Sequence, residues 1–135
     1  MLIRNSITNR KLRVAIICAS LLFFFSIPSF SQKLKSYEDS VQFDKKKAKF
    51  EELFVKANLE KNKKNYEQAS ALYYDCIKLN SSNSVVYYEL AQINCTTKNY
   101  TEAEQNIKKA IKINPKIEEY NRFLDDLYIK MGKKR

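Results

Sequence analysis

Residues 84–117 read SVVYYELAQINCTTKNYTEAEQNIKKAIKINPKI, and the fold is decided there. The stretch divides into two amphipathic helices. The first carries Tyr87, Leu90, Ala91 and Ile93; the second carries Tyr100, Ala103, Ile107, Ala110, Ile111 and Ile113. Three- and four-residue steps return to the same side of a helix, so each set forms one apolar face. Asn114-Pro115 closes the second helix, because proline has no amide proton to donate and its ring crowds the preceding turn.

The same pattern recurs upstream at a fixed shift, the step from Tyr100 back to Tyr66. Lys64-Asn65-Tyr66-Glu67-Gln68-Ala69 lines up with Lys98-Asn99-Tyr100-Thr101-Glu102-Ala103. At that shift Tyr73 falls on Ile107, Cys76 on Ala110, Ile77 on Ile111 and Leu79 on Ile113, while Leu53 falls on Tyr87 and Ala57 on Ala91. Downstream, Leu124 falls on Leu90, and Tyr128 and Gly132 follow. A fixed period with large and small apolar residues at fixed places marks a helical repeat array.

These residues resemble the tetratricopeptide repeat (TPR) family, whose 34-residue unit runs W-x2-L-G-x2-Y, A-x3-F, P. The second unit gives Tyr87-x2-Leu90-Ala91-x2-Asn94, Ala103-x3-Ile107 and Pro115; the first gives Leu53-x2-Lys56-Ala57-x2-Glu60, Ala69-x3-Tyr73 and Ser81. A third contributes Asn121-x2-Leu124-Asp125-x2-Tyr128. Lys56, Glu60, Ser81, Asn94 and Asp125 depart from the pattern. The resemblance implies an all-α fold: a short TPR-type array with repeats at 50–83 and 84–117 and a capping or half-repeat helix at 118–135. Tyr120, Phe123, Leu124, Leu127 and Tyr128 share one side of that last helix, and Asn121, Arg122, Asp125, Asp126 and Lys130 the other. This layout favours a cap over the front of a longer array, and a monomer.

The small residues fit that architecture. Ala57, Ala69, Ala91, Ala103 and Ala110 stand where helices approach closely, and Tyr66, Tyr73, Tyr87 and Tyr100 fill gaps between repeats. With one glycine in 135 residues, the turns fall to asparagine: Asn65 and Asn99 are expected to take the left-handed conformation at helix ends. Ser81-Ser82-Asn83-Ser84 links the repeats and supplies a helix N-cap.

Residues 1–31 read as a signal peptide outside the fold. Arg4, Arg10, Lys11 and Arg13 form a basic leader, Val14 to Ile27 an apolar core, and Ser29 and Ser31 the small residues of a cleavage site before Gln32. The run is short for a span, which needs about 20 apolar residues. Phe30-Ser31-Gln32 resembles exported proteins of Bacteroidetes-type bacteria. The expectation is export to the periplasm or cell envelope; an uncleaved signal segment anchoring the chain in the membrane is the alternative. Cys18 lies inside the apolar core rather than at its end, which argues against a lipoprotein. Residues 32–49 form a polar, basic leader that becomes helical toward its end, near Val41. Its lysines read as a solvated helix face, with contact to an anionic surface as the functional alternative.

The composition narrows the chemistry. No histidine is present, which removes the commonest general base and metal ligand, and a lone glycine builds no phosphate loop. Glu51-Glu52, Glu118-Glu119 and Asp125-Asp126 are sequence neighbours about 100° apart on a helix, so they form exposed edges rather than acid–base couples. No catalytic residue, cofactor or metal is expected. Cys76 and Cys95 lie at offsets of 6 and 13 residues from the turn at Ser82, so they stand roughly 10 Å apart along the helix axes, too far to pair. The formal charge of +10 falls to +6 once the four basic residues before Ser31 are removed.

By resemblance, the first helix of each unit lines a concave groove. The groove places are Phe54, Asn58, Lys61 and Asn62; Tyr88, Gln92, Cys95 and Thr96; and Arg122, Asp126 and Ile129. Amides that pair with a peptide backbone and flat aromatic area suit an extended peptide or a helix. The family's carboxylate clamp for chaperone tails is missing, since Phe54 replaces its lysine and Glu89 its second asparagine. The expected function is therefore a non-catalytic protein–protein interaction scaffold for a peptide or protein partner. Binding to an anionic membrane surface or nucleic acid is the alternative, and an accessory subunit of an enzyme a third reading. No specific nucleic acid is expected.

Overall fold

The computed structural model describes the backbone of residues 4–133 and the side chains of residues 31–133. The signal-peptide expectation, with Cys18, falls on side chains outside the described residues. Five helices and no strands are described: α1 (Arg4–Asn62), α2 (Tyr66–Leu79), α3 (Ser84–Thr96), α4 (Tyr100–Ile113) and α5 (Glu118–Met131). Among residues 31–133, whose side chains are described, no helical stretch is long and apolar enough to cross a membrane.

The chain divides into two units, Met1–Asp44 and Lys45–Arg135. In the first, the leader is helical from its start rather than only near Val41. The physical reason is the absence of glycine and proline between Gln32 and Asn62. Ser40 also finds a local partner, donating to the Tyr37 carbonyl at 2.7 Å. Its large apolar side chains Leu34, Tyr37 and Phe43 are exposed.

The second unit holds two cores in succession. Phe50, Ala57, Ala69, Tyr73 and Cys76 of the first hairpin meet Val86, Leu90 and Ile93 of α3. Tyr87, Ala91, Ala103, Ile107 and Ala110 of the second hairpin meet Tyr120, Leu124 and Leu127 of α5. α3 therefore serves both cores from opposite sides. The five alanines are fully buried, which permits the close helix approach that their spacing predicts. Cys76 is buried in the first core and Cys95 partly buried; both are free. Burial, then the nearby Asp75 charge, pushes the Cys76 thiol up to about 11, so it packs as an inert small residue.

The turns differ from the expectation for asparagine. The left-handed residues are Lys64 (φ 66°), Lys98 (φ 65°) and Gly132 (φ 67°), each one repeat after the last. At all three, the helix ends in the same pair of backbone bonds. Asn65 N–H reaches Glu60 O at 2.9 Å and Lys64 N–H reaches Lys61 O at 2.9 Å. Asn99 to Asn94 and Lys98 to Cys95, then Lys133 to Tyr128 and Gly132 to Ile129, repeat the arrangement. This is the Schellman ending, whose left-handed place falls one residue before the asparagine. Asn65 and Asn99 sit at the following place with φ near −80°, at the threshold of the next helix. Asn83 does cap α3, accepting from Val85 N–H at 3.0 Å and Val86 N–H at 3.4 Å.

Candidate functional site: the shared face of α1, α3 and α5

Side chains from α1, α3 and α5 meet across one face of the second unit. Lys61 Nζ on α1 donates to Glu89 Oε2 and, at 2.6 Å, to Gln92 Oε1 on α3. Tyr73, on α2, donates its hydroxyl to Asn58 Oδ1 at 2.6 Å. Burial first, and the Glu89 charge second, push the Tyr73 phenol above its ordinary range, which places that carboxylate beside the same hydroxyl. Asn58, Lys61, Tyr73, Glu89 and Gln92 thus form one polar set between two successive hairpins. Lys61 and Glu89 are largely enclosed, with 26% and 16% of their side chains exposed.

A second set joins α3 to α5. Tyr88 stacks at a tilt on Tyr120 (5.0 Å between ring centres) and meets Phe123 edge-on at 5.5 Å. Its hydroxyl donates to Glu119 Oε1 at 2.8 Å. Burial, then the bond to Glu119, holds the Tyr88 phenol up at about 12. Cys95 Sγ lies 3.5 Å from Lys130 Nζ.

The sequence-predicted groove residues therefore fall into three groups. Asn58, Lys61 and Gln92 enter the first polar set, and Tyr88 and Cys95 the contacts to α5. Asn62, Thr96, Arg122, Asp126 and Ile129 are exposed, with the Thr96 hydroxyl donating back to Gln92 O at 2.9 Å. Phe54 packs instead as part of the first core's rim, stacked on Phe50 and edge-on to Tyr73, both at 5.9 Å. Sequence reasoning missed Glu89 and Tyr73 as members of the site. A signal for Glu89 was present, because the equivalent positions one repeat to either side are Val55 and Phe123. An acid at an otherwise apolar repeat position calls for a cation nearby.

Among the described residues no group of acids and cysteines is arranged to hold a metal ion. The buried polar side chains described here all have partners. The departure at Glu60 is resolved the same way: Asn65 Nδ2 donates to it at 2.7 Å and Lys63 Nζ at 2.9 Å. These bonds, the one from Asn65 first, hold its carboxyl below the ordinary range.

The tetratricopeptide repeat family matches residues 53–83 and 85–117, one match for each hairpin. Each of the two hairpins thus matches the tetratricopeptide repeat in sequence. Solved structures share this fold. YrrB, described as a TPR protein with an unusual peptide-binding site, superposes with a TM-score of 0.56 at 23% identity over 60% of this chain. The match spans 42% of that chain, less than half its length. The TPR domain of OM64 from Arabidopsis superposes with a TM-score of 0.57 at 24% identity, over 61% of this chain and 68% of the other. At these identities the likeness is one of fold. The curated proteins contain no match. TPR folds generally serve as non-catalytic scaffolds for protein or peptide partners, and the face bridged by Lys61 and Tyr88 is the part of this TPR pair with polar and aromatic groups gathered from three helices.

Proposed function

We propose that the chain is a non-catalytic interaction module that holds an extended peptide or helix against the α1–α3–α5 face. The observation that carries this reading is the assembly of amide, aromatic and charged side chains from three helices on one surface, with Asn62, Thr96 and Arg122 exposed on the same helices. Such a surface offers hydrogen bonds for a peptide backbone and flat area for its side chains. YrrB, with its peptide-binding site, is a precedent on the same fold. Many lysines outside this face are already engaged. Lys63 pairs with Glu60, Lys78 with Asp75, Lys108 with Glu104, and Lys109 lies 4.5 Å over the Tyr87 ring. This weighs against the anionic-surface alternative.

The place of action belongs to the same proposal. The basic leader, apolar core and Ser29-x-Ser31 site favour an exported chain working as a monomer in the periplasm or cell envelope. A photo-crosslinking amino acid placed at Asn62, Thr96 or Arg122 tests the face. Partner adducts are expected from these positions and not from Gln105 on the exposed side of α4. Adducts from Gln105 alone would sink the reading.

A further inference from the structure

We infer that Glu89, with Gln92 and Asn58 beside it, is a receptor for a cationic side chain and that Lys61 occupies it as a tethered stand-in. The partner is then a peptide presenting lysine or arginine. This rests on the peptide-binding reading of the α1–α3–α5 face and adds the chemistry of what is bound.

The argument turns on an asymmetry within the ion pair. Glu89 lies mid-helix in α3, flanked by Tyr88 and Leu90, which belong to packing on either side, and only 16% of its side chain is exposed. Stripping the cation from an enclosed carboxylate is costly, so Glu89 draws a positive partner and, without Lys61, gains the more from a ligand's cation. Lys61 stands in the last turn of α1 next to exposed Asn62 and Lys63, and its ammonium rides on a flexible four-carbon stem. It can swing into water when another cation takes its place, and the electrostatic pairing is conserved. An anionic ligand for Lys61 fails this test, because it brings a second negative charge to Glu89 and removes the cation that Glu89 holds.

The surroundings share that preference. Asn58, Gln92 and Asp126 occupy one and the same repeat position in α1, α3 and α5. Each offers a side-chain oxygen. The Lys61 ammonium already takes Glu89 and Gln92 together, as a ligand's ammonium or guanidinium does.

The test measures binding of the full chain to short synthetic peptides that differ only in a central arginine, glutamine or glutamate. The arginine peptides are expected to bind best. Lys61→Met is expected to tighten them roughly threefold, because an internal competitor that lowers the available fraction of sites is removed. Glu89→Gln is expected to weaken them by at least about tenfold, as when one partner of a desolvated charge pair is lost. Peptides bound with no preference for arginine, or weakened by Lys61→Met, overturn the cation receptor while leaving peptide binding intact. Retention of no peptide overturns both. Far-UV circular dichroism checks folding of each variant; if either one is unfolded the other decides, and if both are, the wild-type preference for arginine over glutamine and glutamate peptides decides.

Discussion

Replacing Lys98 with glycine is expected to stabilise the second unit. Lys98 is held at φ 65°, a conformation that brings the Cβ of an L-residue too close to the following carbonyl oxygen. That strain costs roughly 1–2 kcal/mol for a non-glycine residue. Glycine removes it but adds about 0.4–1 kcal/mol of chain entropy to the unfolded state. The expected net gain is on the order of 0.5–1 kcal/mol, or roughly 4–8 °C in Tm per kcal/mol for a domain of this size. Gly132 supplies the reciprocal experiment. It has the same ending at φ 67°, and a Cβ built there meets nothing within 4 Å. Gly132→Ala therefore introduces the backbone strain without a clash and is expected to lower stability by a similar amount. The assay is thermal and urea unfolding of the full chain followed by far-UV circular dichroism. Lys98→Ala is the control, since it removes the charge and keeps the Cβ. If Lys98→Ala stabilises as much as Lys98→Gly, the backbone argument is refuted and the lysine charge is responsible.

Other outcomes are expected from the packing, the pairing and the N-terminus. Leu127→Ala truncates a side chain that is 1% exposed in the second core and is expected to cost about 2–5 kcal/mol in urea unfolding. Ala103→Leu is expected to cost roughly 1–3 kcal/mol in the same assay by overfilling a close helix approach. Glu104 accepts from Lys108, Lys133 and Tyr128, and these bonds, the one from Lys108 first, hold its carboxyl at about 2 against an ordinary 4.5. Its folded pKa is depressed, so its stabilisation is complete above pH 4.5 and is lost as pH falls toward 2; Glu104→Gln is expected to flatten that part of the stability–pH curve. Leu21→Arg is expected to abolish export, because a charge in the apolar core costs about 2.5–3.5 kcal/mol. A wild-type chain that retains Met1 in the membrane fraction would show an anchor instead.

How much of this was legible depended on whether one residue or two carried the signal. The helices and cores followed from single positions read against a period. Leu90 and Ala103 have the right size at the right step, and both are buried. The turns were located correctly, but the left-handed residue was assigned to Asn65 and Asn99 by propensity. The Schellman geometry places it at Lys64 and Lys98, where the pair of local backbone bonds that ends the helix overrides the preference of the residue. The site was harder for a different reason. Lys61 and Glu89 are 28 residues apart, out of step with the repeat period, so aligning the repeats does not bring them together. Only the stagger of α3 against α1 does. Tyr73 was read as filler because its ring is core; its hydroxyl, which reaches Asn58, carries a second role.

The direction of the stacking is written in three residues of each first helix. Val86, Leu90 and Ile93 lay α3 on the first hairpin, and one repeat later Tyr120, Leu124 and Leu127 lay α5 on the second. The matching residues of α1 are Glu52, Lys56 and Leu59, all exposed. The opposite side of each helix tells the complementary story. Leu53 and Ala57 in α1, and Tyr87 and Ala91 in α3, face the second helix of their own hairpin, and both alanines are fully buried. In α5 those places hold Asn121 and Asp125. A carboxylate where an alanine permits close approach would meet a packed helix with an unfavourable burial of charge. α5 therefore covers the second core through one face and keeps the other polar. The same comparison explains why Tyr88 matters to the proposed site. Its contacts with Tyr120, Phe123 and Glu119 fix α5 against α3, the helix that carries Glu89 and Gln92, so α5 is joined to the face rather than independent of it.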